Sequence, residues 1–75
     1  MIVSLDRVCL GCRCSVAAVD TDEVLKRRLQ DFGVIPGTVL CPEYRSPGAH
    51  AAVIGVRGTM LALRTRDLKR IRVFV

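Results

Sequence analysis

Cys9, Cys12, Cys14 and Cys41 are the side chains of this 75-residue chain best suited to hold a metal or exchange electrons. Three of them fall within six residues, and the fourth follows 27 positions after Cys14. A secreted disulfide scaffold spreads its cysteines along the chain, so this clustering points to reduced thiols. Cys9-x-x-Cys12 has the spacing of half a zinc knuckle. Cys14 and Cys41 complete a four-sulfur set of the kind that binds zinc or iron. On a strand, Cys12 and Cys14 share a face, and Cys9 has to reach round from a turn. Beside this metal or redox reading stands a plainer one, in which the thiols are small apolar fillers. The sequence implies no cofactor beyond that zinc or iron.

Charge offers a second kind of chemistry. Lys and Arg number 12 against seven acids, for a net charge of +5, and ten of the cations are arginine. The arginine fork suits carboxylates and phosphates, so the balance points to an acidic partner, nucleic acid or anionic head groups. Lys26-Arg27-Arg28 is the densest run and the expected partner-binding surface; a simple solvated helix face is its bland counterpart. A small basic nucleic-acid-binding barrel is the alternative. Such barrels stack bases on aromatics, and aromatics are only 4% of this chain. They are Phe32, Tyr44 and Phe74, with Phe32 assigned to the core, so nucleic acid is disfavoured.

Catalysis finds little footing. His50 is the lone histidine, with no orienting group implied for a Cys–His pair. The glycines are scattered turn residues and form no phosphate-cradling loop. Asp20, Asp22 and Glu23 read as helix-capping residues rather than as a hard-cation site. The expectation is a protein that is not an enzyme.

These side chains must be positioned by short elements. Met1 to Leu5 reads as a first strand, Arg7 to Gly11 as a turn, and Cys12 to Val19 as a strand with Cys12, Cys14, Val16 and Ala18 on one face. A helix over Thr21 to Phe32 follows, capped by Asp20 with Glu23 in a capping box. Leu25, Leu29 and Phe32 form its buried stripe, Lys26, Arg27 and Arg28 lie opposite, and Gly33 stops it. Pro36-Gly37 signals a type II turn. Thr38 to Arg45 is a strand in which Pro42 marks an edge or bulge. Ala51 to Arg57 and Met60 to Arg64 form a hairpin. Thr65 caps a single helical turn to Leu68, and Ile71 to Val75 closes the sheet with Ile71, Val73 and Val75 inward. The fold class is mostly β with one helix, a single domain over residues 1–75: an SH3-like small β-barrel with an inserted α-helix. No stretch approaches the roughly 20 apolar residues of a membrane span, and the N-terminus lacks the pattern of a signal peptide. The expected location is cytoplasmic.

The run Leu25-Lys26-Arg27-Arg28-Leu29-Gln30-Asp31-Phe32-Gly33-Val34-Ile35-Pro36-Gly37-Thr38-Val39 resembles the FeoA family pattern. That pattern is a helix ending L-x-R-R-L-x-D-L-G, then an apolar pair and P-G-T. Arg57-Gly58-Thr59-Met60-Leu61-Ala62-Leu63-Arg64 resembles the family's R-G-x-x-x-A-L-R, and Leu5, Val8 and Gly11 fit its L-x-x-L-x-x-G opening. The cysteines at 9, 12 and 14 lie outside the pattern, and Gly48-Ala49-His50 replaces the family's frequent Gly-Asp-Pro. The resemblance implies a cytosolic helper of ferrous iron uptake, docking on the membrane transporter FeoB at its GTP-binding domain or core. A homo-oligomer is compatible with it, with Phe74 left as a contact.

Overall fold

The computed structural model describes residues 1–75. Six strands run in the order β1 (Ile2–Ser4), β2 (Cys14–Val19), β3 (Val39–Arg45), β4 (Ala51–Val56), β5 (Thr59–Arg64) and β6 (Ile71–Phe74). Two helices, α1 (Glu23–Asp31) and α2 (Thr65–Leu68), and two 3₁₀ turns at Leu5–Arg7 and Pro47–Ala49 join them. The strands form one antiparallel sheet in the order β1-β6-β2-β3-β4-β5. β3 serves both halves. Val39 and Leu40 pair with β2, whereas Cys41 to Arg45 pair with β4. That division rolls the sheet into the expected SH3-like form.

The core is aliphatic, as the scarcity of aromatics requires. Fourteen buried residues form it, among them Leu5, Val16, Leu29, Val34, Leu40, Ile54, Ile71 and Val73. The Arg57-Gly58 loop between β4 and β5 has φ of 50° and 81°, the doubly positive geometry of a two-residue type I′ hairpin. Pro42 sits at a bulge, with the register shifting between Pro42 and Tyr44, as its missing N–H demands.

Several local expectations are corrected. Asp20 is not the helix cap, because the β2–β6 ladder claims it. Its N–H donates to Arg70 O at 2.8 Å and its carbonyl accepts from Arg70 Nε at 2.9 Å. Asp22 caps instead, accepting from the Leu25 N–H at 2.9 Å. Glu23 becomes the first helical residue, so no capping box forms. Phe32 is 48% exposed rather than core. The chain turns at Gly33 and sends Val34 inward in its place, with Val34 N–H on Leu29 O and Gly33 N–H on Gln30 O. Those two bonds are the Schellman closure of a helix end. On β2 the bulge between Val16 and Ala18 flips the alternation, so Val19, not Ala18, is buried. Val75 lies past the paired strand and is exposed. Thr65 does not cap α2; its hydroxyl donates to Ala49 O at 2.6 Å.

Candidate functional site

The thiols lie around one end of β2. Cys9-Leu10-Gly11-Cys12 is a turn closed by the Cys12 N–H on Cys9 O at 3.1 Å, with Gly11 at φ 82°. The Gly11 N–H donates to Pro42 O at 2.7 Å and ties this turn to β3. Cys9 and Cys12 are exposed, Cys14 is buried and Cys41 is half-buried. Cys14 opposes Leu40 across the β2–β3 ladder, and both point into the core. Cys41 is the next residue on β3, so it faces the other side of the sheet. Alternation thus divides the expected four-sulfur set, and no three His, Cys, Asp or Glu side chains converge to hold a metal ion. Cys41 instead lines an open groove of about 480 Å³ with Arg13, Glu43, Arg57 and Met60.

Environment grades the thiols. Burial pushes the Cys14 thiol up, and the neighbouring Cys41 and Cys12 add to that push. A hydrogen bond with Glu43 is the chief cause raising Cys41. The thiolate is the reactive form. In a chromogenic thiol assay at neutral pH, Cys9 and Cys12 are therefore expected to react first and Cys14 last. Cys9→Ser/Cys12→Ser removes the fast phase. A fast phase that survives in this double variant contradicts the ranking.

The Lys26-Arg27-Arg28 run sits on α1, with Lys26 half-buried and Arg27 and Arg28 exposed. Glu23 and Asp31 stand one turn to either side of Arg27, and all three line a shallow hollow with Val24 and Arg28. With Asp22 at the cap, three acids balance three cations over residues 22–31. The helix face therefore carries no net charge.

Sequence reading missed a more strongly cationic surface. Arg64, Arg66, Lys69, Arg70 and Arg72, with Asp67 as their sole acid, give residues 64–72 a charge of +4 out of the chain's +5. Arg66, Lys69 and Arg70 follow helical spacing around α2 and its cap, while Leu68 is buried on the other side. With Arg64, His50 and Thr65 they line an open hollow of about 610 Å³ that contains no acid. The Thr65 hydroxyl on Ala49 O and the Thr65 N–H on His50 O at 2.9 Å lock the preceding loop against it. The signal was the charge density of R-T-R-D-L-K-R-I-R, masked by its alternation with strand residues.

A family model described as FeoA domain matches residues 3–74. A FeoA protein from Chlorobium tepidum is similar at 25% identity and a TM-score of 0.93, over 97% of this chain and 70% of that one. A FeoA-like protein from Clostridium acetobutylicum is 26% identical with a TM-score of 0.83, over 99% of this chain and 86% of that one. The zinc-complexed FeoA of Stenotrophomonas maltophilia is described as a unique prokaryotic SH3 domain protein and suggested as a ferrous iron transport activating factor. It is 26% identical with a TM-score of 0.80, over 97% of this chain and 88% of that one. No curated protein sequence matches.

Proposed function

We propose, from the premise that this chain belongs to the FeoA family of ferrous-iron-transport-associated proteins, that it is a cytoplasmic, non-enzymatic accessory domain that docks on FeoB. The family match over residues 3–74 carries this reading. The surface suits it, because the charge-balanced hollow at α1 and the cationic hollow at α2 are open and shallow. Small-molecule sites, by contrast, are concave and mostly apolar. An accessory domain works on a transporter by binding its conformations unequally, which shifts their populations without chemistry of its own. No helix is long and apolar enough to cross a membrane, so docking would be made from the aqueous side of the transporter.

The test is retention of the purified chain on an immobilised FeoB cytosolic domain, together with iron uptake in cells lacking and regaining the chain. Retention and a changed uptake rate are expected. Arg27→Glu/Arg28→Glu is expected to weaken retention by only about two- to threefold, because neighbouring acids already offset these cations. No retention at low salt and no change in uptake would sink the docking reading.

A further inference from the structure

We infer that the hollow formed by Arg64, Arg66, Lys69 and Arg70 at α2 is the primary contact for a carboxylate-rich protein surface. This rests on the docking reading above and assigns it a place on the molecule. The first support is the charge distribution. The α1 face is neutral over residues 22–31, whereas residues 64–72 hold +4 of the net +5. Even with Asp22 and Asp67, which share the adjoining hollow with Arg66 and Arg70, the α2 surface stays positive.

The second support is geometry. Arg66 and Lys69 are exposed on one face of the α2 turn, and Arg64 reaches the same hollow from the end of β5. Arg70 is held in place by its Nε–H on Asp20 O. The fixed guanidinium presents its fork to a carboxylate at little ordering cost, and the exposed cations around it add charge. The third support is what the hollow lacks. No Phe, Tyr or Trp lines it and His50 is its one ring, so there is no platform for a run of stacked bases. A single helical turn is also too short to enter a major groove as a reading element. The hollow's openness fits a macromolecular surface better than a small anion, which would need enclosure.

Arg66→Glu/Lys69→Glu and Arg27→Glu/Arg28→Glu change the net charge equally, so comparing them separates the site from bulk charge. Neither Arg66 nor Lys69 is buried, and circular dichroism and a melting curve verify folding of each variant. Arg66→Gln/Lys69→Gln serves as a milder version. The probes are the FeoB cytosolic domain, poly-L-glutamate and a short DNA duplex, each titrated against the full chain at low and at physiological salt. Arg66→Glu/Lys69→Glu is expected to weaken the FeoB domain and poly-L-glutamate by about tenfold or more, and the glutamine pair by less. The α1 variant stays near wild type, and added salt narrows the differences. Equal losses in the two charge-reversed variants, or a greater loss at α1, overturn the assignment while leaving docking intact. Tighter binding of the duplex than of either acidic probe also overturns it, in favour of nucleic acid. If the wild-type chain ignores the FeoB domain, the docking reading fails. The hollow is then judged on poly-L-glutamate alone, where retention that α2 reversal does not reduce sinks it.

Discussion

Replacing Ile71 by alanine is expected to cost about 2–5 kcal/mol of unfolding free energy, the range for emptying a buried branched side chain. Ile71 is fully buried and sits on β6, which is hydrogen-bonded to β1 on one side and β2 on the other. Its partner across the β2 ladder is Val19, the residue that the bulge turned inward. Removing the Ile71 side chain therefore opens a void where three strands meet. At about 0.05–0.15 kcal/mol per residue, a chain of 75 residues has roughly 4–11 kcal/mol in total. The loss consumes a large share of that. Urea unfolding followed by circular dichroism should show a sharply lower midpoint with an unchanged slope. Val75→Ala, on the same alternation but exposed, should move the midpoint little. A small effect at Ile71 would mean that the core relaxes around the void and is less tightly built than the buried cluster implies.

The legible parts of this protein were those governed by local rules. Gly33 and Pro36-Gly37 announced turns because their backbone needs are local. The Thr38 N–H on Ile35 O at 3.0 Å and Gly37 at φ 93° confirm the second of them. The sheet's hairpin and its closing strand were legible from alternation. What misled was competition between neighbours. Asp20 and Asp22 are equally good caps in isolation, and only the ladder with Arg70 decides between them. Ala18 and Val19 exchange faces because a bulge adds one residue, which no pattern of period two can anticipate. The same limit acted on the surface. Three consecutive cations on α1 drew the eye, yet their acids lie one turn away and cancel them. The cations of residues 64–72 are interrupted by Leu68 and Ile71, and converge only because α2 turns back against the Pro47–Ala49 loop. The thiols show the reverse case. Three of them are close in sequence, but the fourth, Cys41, follows the Leu40 that pairs with Cys14, and so faces the other side of the sheet.

Gly33→Ala is expected to destabilise the chain by about 1–2 kcal/mol, the cost of a Cβ in left-handed backbone. Gly33 has φ of 84°, and a Cβ there would lie 3.0 Å from Cδ of Arg57. Two effects are therefore combined, backbone strain and contact with the hairpin tip. They separate in a double-mutant cycle with Arg57→Ala. The Arg57 side chain is exposed and flexible, so it can move aside, and the strain should dominate. Gly33→Ala should then cost nearly the same in the Arg57→Ala background as in the wild type. A cost that disappears in that background would assign the effect to the contact instead. The position matters beyond stability, because Gly33 O accepts the Thr38 hydroxyl at 2.7 Å and the Gly33 turn delivers Val34 to the core. Altering that turn loosens the C-terminal end of α1, whereas α2 and its cations lie on the connection between β5 and β6, beside the Asp22 end of α1. A variant that melts earlier yet, below its melting point, still binds acidic probes through the α2 hollow would show that the scaffold carries its two charged faces independently.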